Sequence, residues 1–264
     1  MRNIKALIEY DGTGFKGFQI QPLVRTVQGE LEKALQNLTQ EKVKVIGAGR
    51  TDAGVHALGQ VINFSTAAMI PVERFPLALN RYLPEDLRVL AAEEVAADFH
   101  ARFTACWKTY RYLFRRGKTE KVFWRNYALV LPADRELNLR AMQKAAQFLV
   151  GKHDFSAFCA SGSEVKNYER TIWHCGFRKW NTGWALEVTA DGFLYHMIRN
   201  IFGTLQAVGE GKLIPEDIPQ ILASRQRSQA GPTAPPQGLY LVQVGYYPWV
   251  KKHCFLDING KIDV

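Results

Sequence analysis

The sequence has few cysteines and no recognisable arrangement of metal ligands. Its 264 residues include four widely spaced cysteines with no C-x-x-C pair, and its six histidines form no H-x-x-x-H or Cys/His cluster. Zinc and iron–sulfur sites therefore have no basis in the sequence, and we expect no metal. His174 and Cys175 are adjacent, but neighbouring residues of a strand point to opposite faces, which favours a structural thiol over a reactive pair.

Long hydrophobic runs are also missing. No apolar stretch reaches the roughly 18 residues that a membrane span requires. The stretch MRNIKALIEYDG becomes amphipathic at once and lacks the continuous apolar segment of a secretory signal. We therefore expect a cytoplasmic protein without membrane association. With 47% hydrophobic residues, the chain can bury one large core or two small ones.

Acidic residues are too few to balance the basic ones, which outnumber them 34 to 25 and give a formal net charge of +9. Between positions 102 and 125 a single acidic residue, Glu120, accompanies these basic ones: Arg102, Lys108, Arg111, Arg115, Arg116, Lys118, Lys121 and Arg125. Cationic side chains favour polyanion binding because they release counterions from a phosphate backbone. Charge alone leaves two interpretations open, a nucleic-acid surface and a solvated face that aids solubility.

Hydrophobic periodicity predicts the element order β-α-β-β-α-β twice. The first half has predicted strands at NIKALIEYDG, KVKVIGA, LGQVINF and LRVLAAEEV, and predicted helices at TVQGELEKALQNL and FPLALNRYLP. The second half has strands at CWKTYRYLF, at both arms of the hairpin TIWHCGFRKW-NTG-WALEVTA and at LYLVQVGY. Its helices are at NLRAMQKAAQFLVG, from about Phe193 to Val208, and from Pro215. We predict an α+β fold of two ferredoxin-like βαββαβ halves, residues 1–103 and 104–264, whose antiparallel sheets join around a central cleft.

The stretch GAGRTDAGVHALGQVINF places Asp52 two residues after Arg50 in a glycine-rich loop between two predicted strands. Gly47, Gly49 and Gly54 remove side-chain bulk, so a large planar ligand could approach the backbone closely. An ordinary turn, in which Asp52 bonds its own backbone, is the alternative. A lone carboxylate suits covalent catalysis better than glycosidase chemistry, which needs two; a second carboxylate from elsewhere in the chain stays open.

This loop and five further stretches resemble, in order, the tRNA pseudouridine synthase A family. GRTDAGVHALGQV resembles the family's catalytic motif, and EYDGTGFKGFQIQP, DFHARFTACWKTYRY, RTIW, DGFLYHMIRNIFGTL and APPQGLYLVQVGY extend the match from Glu9 to Tyr246. One departure is Phe18, where the family has a tryptophan. We expect this difference to affect aromatic packing or a contact near the cleft and to leave the chemistry unchanged.

The resemblance implies the pseudouridine synthase fold and a known activity. The family isomerises uridine to pseudouridine at positions 38, 39 and 40 in the anticodon stem-loop of tRNA. It uses neither metal nor cofactor, and it generally acts as a homodimer. A uridine inside a stem is stacked and paired, so it must be flipped out before a carboxylate can reach it.

The resemblance also implies individual roles. Asp52 matches the nucleophile, which attacks either uracil C6 or ribose C1′, and the sequence leaves both open. Arg50 matches the residue that supports the flipped nucleotide, Tyr110 the tyrosine that stacks on the target uracil, and Arg199 the arginine paired with the nucleophile. The residues expected to contact phosphates of the stem, and so to fix register without reading bases, are Lys108, Arg111, Arg115 and Arg116.

Competing interpretations remain at this point. Tyr110 lies in an alternating aromatic strand, where core packing alone would explain the ring. The protein could also be a non-catalytic RNA-binding protein or RNA chaperone, although the complete set of four matched residues argues against a retired enzyme. A third possibility is a glycosidase-like nuclease that leaves an abasic ribose, for which released uracil would be the sign.

Overall fold

The structure, a computed structural model, describes residues 1–117, 122–162, 165–181 and 183–250. Lys118, Glu120 and Lys121 of the basic stretch, Thr182 of the predicted hairpin turn and Cys254 lie outside the described residues. Within the described ranges, no helix has the length and hydropathy that a membrane crossing requires.

The described strands, in chain order, are β1 (Arg2–Tyr10), β2 (Ile46–Gly47), β3 (His56–Thr66), β4 (Leu87–Val95), β5 (Trp107–Gly117), β6 (Leu129–Pro132), β7 (Gly151–Asp154), β8 (Glu169–Trp180), β9 (Gly183–Ala190) and β10 (Leu239–Gly245). The described α-helices are α1 (Val27–Thr39), α2 (Phe75–Leu79), α3 (Leu139–Gln147), α4 (Met197–Gly209) and α5 (Asp217–Ser224). The chain forms two compact units. Of the described residues, unit 1 contains Met1–Cys106 and residues 240–250, and unit 2 contains those between Trp107 and Leu239.

Unit 1 has the predicted βαββαβ order in its first part. Strand β1 lies between β3 and β4 and pairs antiparallel with both, and β2 pairs antiparallel with β3. The order β4-β1-β3-β2 is the ferredoxin-like arrangement. Strand β10 joins the other end of β3 in parallel, with Tyr240 opposite His56 and Leu241 opposite Ala57.

The core of unit 1 follows the predicted alternation. Along β1, Ile4 and Ile8 are fully buried, and Phe64 of β3, opposite Ile4, contacts Phe75 of α2 edge-to-face with ring centroids 5.7 Å apart. Helix α1 begins at the predicted cap, because the Thr26 hydroxyl accepts the hydrogen bond of the Gly29 amide. Burying each large aliphatic side chain contributes about 1.5–3 kcal/mol. Burial of their apolar faces therefore holds α1 and α2 in place.

Unit 2 is an antiparallel sheet in the order β5-β9-β8-β7, with β6 pairing in parallel with β5. Helix α4 covers the face of β5 that carries Tyr112 and Phe114: the Phe202 ring stacks on Tyr112 at 4.1 Å and meets Phe114 at 5.0 Å. Asn138 caps α3 as predicted, with its side chain accepting from the Ala141 amide. The mixed helix and sheet class, with mostly antiparallel pairing, is confirmed.

Two predicted elements have different limits in the structure. The strand predicted at KVKVIGA is reduced to β2, because the backbone of Val45 bonds instead to side chains of α1: its N–H donates to Glu32 and its carbonyl accepts from Gln28. Helix α4 begins at Met197 and not at Phe193. His196 has a φ of 58°, a left-handed conformation that a continuous right-handed helix does not admit.

Candidate active site

Two buried polar side chains hold the loop between β2 and β3. Gln60 Nε2 donates to the Gly49 carbonyl at 2.9 Å, and the hydroxyls of Tyr10 and Thr51 are 2.8 Å apart. Burial raises the pKa of Tyr10 to about 12, so its hydroxyl stays protonated at neutral pH. Gly49 and Thr51 flank Arg50 on either side. The two contacts therefore fix the backbone that carries Arg50, whose own side chain is exposed.

Asp52 lies in the turn that follows. The Val55 amide donates to the Asp52 carbonyl at 3.1 Å and closes the turn, while the Gly54 amide donates to the Phe15 carbonyl at 3.4 Å. Both bonds use the backbone, so they position Asp52 through its main chain. The side chain of Asp52 is half-buried. The loop thus presents Arg50 and Asp52 from a backbone that the rest of unit 1 holds in place.

Phe18, the departure from the family pattern, contacts the same loop through its backbone and its ring. Its amide donates to the Thr51 carbonyl at 3.0 Å, and its buried ring lies against Gly47, where an added Cβ would be 2.4 Å from the ring. The interpretation that Gly47 leaves room for a ligand is therefore wrong, because the phenyl ring occupies that space. At Gly49 and Gly54 the same interpretation stays a prediction.

His56 connects the end of the loop to two other segments of unit 1. It is 2% exposed, its Nδ1 accepts the Gly12 amide at 3.0 Å, and its ring stacks on Tyr240 of β10 with centroids 4.6 Å apart. Gly12 begins the segment that reaches Phe18, so His56 ties that segment and β10 to the start of β3. The base of the loop is fixed on both sides.

Tyr110 lies in β5 of unit 2, opposite Val188 of β9. Its side chain is buried, and its ring meets Phe193 edge-to-face with centroids 5.0 Å apart. Such a ring contact is common in apolar cores and also suits a rigid stacking platform. Its role toward uracil therefore stays a prediction.

Arg199 lies in the first turn of α4 and is half-buried. Its Nε donates to the Ala234 carbonyl at 2.7 Å, and the Ala234 amide donates back to the Arg199 carbonyl at 3.1 Å. Burial raises the pKa of Tyr112, and the positive charge of Arg199 nearby opposes that shift. A cation in the first turn opposes the helix dipole, so this arginine is placed where helix formation alone would not favour it.

The four predicted phosphate contacts of β5 divide between the two faces of the strand. Side chains alternate along a strand, so Lys108 and Arg116 share the face of Tyr110, while Arg111 and Arg115 share the opposite face. Arg116 is exposed, and its Nη2 donates to a backbone carbonyl in the segment after β6. Lys108 and Arg115 are half-buried.

Arg111 differs from the other three. It is 4% exposed, and its Nε donates to Glu187 Oε1 at 2.7 Å, while Arg178 Nη2 lies 3.2 Å from the same oxygen. Its cross-strand partner in β9 is Glu187 itself. The guanidinium therefore belongs to a buried ion pair of unit 2 and is not exposed for contact with a phosphate.

Within the part of the chain that the structure describes, no group of three or more His, Cys, Asp or Glu side chains could hold a metal ion. Cys106 is exposed, and Cys159 and Cys175 are buried free thiols. Burial raises the pKa of Cys175 to about 12, so this thiol is protonated at neutral pH, as expected of a structural cysteine.

The structure thus places Arg50 and Asp52 together in one loop of unit 1, and Tyr110 and Arg199 in unit 2. The sequence did not reveal the side chains that hold the loop. Gln60 carried a usable signal, since it is the polar residue within the apolar run LGQVINF. Tyr10 carried none, because its ring fits the alternation of an ordinary core strand.

Comparisons with known proteins identify the family of the chain. The family model described as tRNA pseudouridine synthase matches residues 6–104 and 145–247, which include Asp52 and Arg199, whereas Tyr110 and the basic residues of β5 lie between the two ranges. The protein named tRNA pseudouridine synthase A of Syntrophomonas wolfei is 50% identical over 248 residues, 94% of this chain and 98% of its own. Proteins of the same name from Moorella thermoacetica and Bacillus pumilus are 50% and 48% identical over 245 residues each, 92% of this chain in both cases and 99% and 98% of their own. The chain therefore belongs to the tRNA pseudouridine synthase family, which confirms the enzyme class, an isomerase of tRNA uridine, that its six motifs predicted.

Proposed function

We propose that the protein isomerises uridine to pseudouridine at positions 38, 39 and 40 in the anticodon stem-loop of tRNA, with Asp52 as its covalent nucleophile. The observation that carries the proposal is the loop of unit 1, whose backbone is anchored beside Arg50 and after Asp52 while these two side chains extend from it. Membership of the family supports the reaction class.

In the proposed reaction, the Asp52 carboxylate attacks uracil C6 or ribose C1′. The N1–C1′ glycosidic bond breaks, the base turns, and C5 forms the new bond to C1′. In the C1′ route the bond between Asp52 and C1′ breaks as C5 attacks, whereas in the C6 route the bond between Asp52 and C6 breaks after the C5–C1′ bond has formed. In both routes C5 loses its proton and N1 gains one. Substrate and product have the same atoms, so no oxidant, reductant or second substrate is required.

Arg50 has the features that support of a flipped nucleotide requires. Its side chain is exposed and carries a planar cation that can stack on bases or bond a phosphate. Its backbone is fixed on both sides by the contacts of Gly49 and Thr51. A side chain on a rigid backbone loses less entropy when it fills the space that the base has left.

The proposal assigns the remaining roles to unit 2. Arg199 pairs with the nucleophile and keeps it ionised, which an attacking carboxylate must be. The Tyr110 ring stacks against the target uracil, and its hydroxyl assists removal of the C5 proton. Phosphate contacts are assigned to Lys108, Arg115 and Arg116. A tRNA substrate implies a cytoplasmic location, and the homodimer is part of the proposal through the family resemblance.

Substitution of Asp52 tests the proposal. In Asp52→Asn and Asp52→Ala we expect pseudouridine formation to fall by at least about 10³-fold, because removal of a covalent nucleophile abolishes the chemical path. Binding of tRNA should change little. Release of tritium from C5-labelled uridine in tRNA measures turnover, and mass mapping of the product locates the modified positions. Glu73→Gln, which neutralises an exposed carboxylate of the same unit, is the matched control.

Several outcomes would contradict the proposal. Turnover retained in either purified Asp52 variant, after contamination by host enzyme is excluded, would remove Asp52 from the chemistry. Free uracil with an abasic tRNA would indicate a nuclease of the glycosidase type. Binding of tRNA by the wild-type protein without tritium release would indicate an RNA-binding protein.

A further inference from the structure

The segment that follows α5 returns to helix α4 beside its first turn. Arg227 Nη1 donates to the carbonyls of Ala230 and Gly231 at 3.3 and 2.9 Å, and its Nη2 donates to Asn200 Oδ1 and Thr233 Oγ1 at 2.9 and 3.0 Å. All four acceptors are neutral oxygens, and burial lowers the pKa of Arg227. Holding a partly buried cation with neutral partners costs desolvation, so general stabilisation of the fold is a weak reason for this arginine.

Thr233 closes a triangle with Arg227 and Asn200. Its hydroxyl accepts from Arg227 and donates to Asn200 Oδ1 at 2.6 Å. Asn200 is completely buried, and its Nδ2 donates to the Phe158 carbonyl at 2.8 Å. The side chain at position 233 must therefore both donate and accept, which a serine hydroxyl can do and a valine cannot.

The backbone of the same segment lies directly against α4. An added Cβ on Gly203 would be 1.7 Å from the Pro232 carbonyl oxygen. The Gly231 amide donates to the Thr204 hydroxyl at 2.9 Å, and that hydroxyl donates to the Asn200 carbonyl at 2.7 Å. The backbone contact and the triangle therefore both fix the position of the segment on the helix.

Two members of the triangle, Asn200 and Thr233, are sequence neighbours of the two residues in the Arg199–Ala234 contact. Asn200 follows Arg199 in α4, and Thr233 precedes Ala234, whose carbonyl accepts from Arg199 Nε at 2.7 Å. We propose that the Arg227–Thr233–Asn200 triangle positions the Arg199 guanidinium for the reaction by fixing the Ala234 carbonyl that binds its Nε–H. The inference rests on the proposed function, in which Arg199 pairs with the nucleophile; Arg227 and Thr233 are positioning residues.

Thr233→Val and Thr233→Ser form the matched pair that tests this inference. Valine keeps the shape of threonine and removes the hydroxyl, and serine keeps the hydroxyl. We expect kcat for pseudouridine formation to fall roughly tenfold in Thr233→Val with KM for tRNA nearly unchanged, because a small misplacement of a catalytic group lowers the chemical step. Thr233→Ser should restore most of kcat. A wild-type kcat in a folded Thr233→Val protein would overturn the inference.

A double-mutant cycle with Arg199→Lys separates positioning from a general structural effect. Lysine keeps the positive charge but lacks the Nε–H that binds Ala234. If Thr233 acts through Arg199, Thr233→Val should lower kcat much less in the Arg199→Lys background than in the wild type. An equal fold loss in both backgrounds would show that Thr233 acts independently of Arg199 and would overturn the inference. Should Thr233→Val fail to fold, Arg227→Lys, which cannot make all four bonds, takes its place in the cycle.

Proton exchange at Arg199 provides a readout that does not depend on activity. In protein labelled with ¹⁵N-arginine, the Arg199 Nε–H signal is assigned by its loss in Arg199→Lys. We expect its exchange with water to be faster in Thr233→Val than in the wild type and unchanged in Thr233→Ser. Equal exchange in all three proteins would refute the positioning role. Absence of pseudouridine formation by the wild type would instead refute the proposed function, and the exchange rates would still decide the inference.

Discussion

Asp52 lies on a loop between two strands of unit 1, whereas Arg199 lies in the first turn of a helix in unit 2. The loop belongs to no strand or helix. Gln60 holds it at Gly49, and Tyr10 and Phe18 hold it at Thr51. The helix fixes the backbone of Arg199 by its own hydrogen bonds. What it does not fix is the direction of a long side chain, and a second segment supplies that through Ala234.

The two arrangements respond differently to the loss of one contact. In unit 1, a lost hydrogen bond releases part of the backbone that carries Asp52, so stability and turnover should change together. In unit 2, we expect the sheet and helices to persist when a polar contact near Arg199 is lost, so turnover should change more than stability. The buried ion pair of Arg111 and Glu187 is an exception. It lies within the sheet of unit 2, so its loss should lower stability.

Glu187→Ala should have the largest effect on stability. It leaves the buried Arg111 and the partly buried Arg178 without their shared carboxylate, and breaking a buried ion pair in this way typically costs about 3–5 kcal/mol. Chemical denaturation measures the free energy of unfolding. Glu187→Gln, which keeps one acceptor oxygen, should lose less. A change below about 1 kcal/mol in Glu187→Ala would mean that the Arg111 guanidinium is solvated, contrary to its burial.

Tyr10→Phe should affect both stability and turnover. It removes the hydroxyl that bonds Thr51 and leaves the buried Thr51 hydroxyl without that partner, at a cost of about 1–3 kcal/mol. We expect kcat to fall by roughly tenfold, since the loop that carries Asp52 loosens. Unfolding measurements and tritium release check the two effects.

The double variant Tyr10→Phe/Thr51→Val sharpens this result. Replacing both partners of a buried hydrogen bond by apolar groups can be nearly neutral, so the double variant should regain much of the stability lost by Tyr10→Phe. Turnover should stay low, because the anchor of the loop is still missing. Recovery of turnover together with stability would show that packing, and not the hydrogen bond, holds Asp52 in place.

Local signals predicted the longer regular elements and the motif of the loop, but not the four-residue strands β6 and β7. Thr26 and Asn138 are caps because their side chains bond the amides three residues further on, a local contact that residue type and position predict. The shortening of β2 depends on Glu32 and Gln28, which are distant in sequence from Val45. The parallel pairing of β10 with β3 joins residues 184 positions apart, and no local period encodes it.

The same limit applies to the candidate site. Asp52 and Arg50 were predicted because a short motif contains both, and Arg199 because its motif resembles the family's. Arg111 was grouped with the phosphate contacts on charge alone. Its partner Glu187 lies on a different strand, and the sequence does not show which basic residue of β5 faces it.

Alkaline unfolding offers a smaller effect that compares the two units directly. Burial raises the pKa of Cys175 in unit 2 from 9.0 to about 12, and that of Tyr10 in unit 1 from 10.0 to about 12. In each case the folded state favours the neutral form. The stabilisation is therefore complete below the unfolded pKa and is lost as pH rises through the folded pKa.

Between pH 9 and 10 the unfolded chain begins to lose the Cys175 proton while it still holds that of Tyr10. Stability should fall there with a contribution from Cys175 of up to about 1.4 kcal/mol per pH unit. In Cys175→Ala this slope should flatten, and in Tyr10→Phe it should flatten only above pH 10. Denaturation curves at fixed pH values measure both slopes. Identical slopes in the wild type and Cys175→Ala would show that the thiol reaches solvent in the folded state.

The smallest expected effect concerns the basic residues of β5, where Arg116 and Arg111 serve as each other's control. Arg116 is exposed, so Arg116→Gln should weaken tRNA binding only about threefold, leave unfolding unchanged and lower the slope of log affinity against log salt by about 1. Arg111→Gln should do the reverse, because its guanidinium faces Glu187: stability falls and the salt slope stays as in the wild type. Equal salt slopes in the wild type and Arg116→Gln would show that Arg116 contacts no phosphate of the RNA. A reduced slope in Arg111→Gln would show that the buried ion pair opens to meet a phosphate.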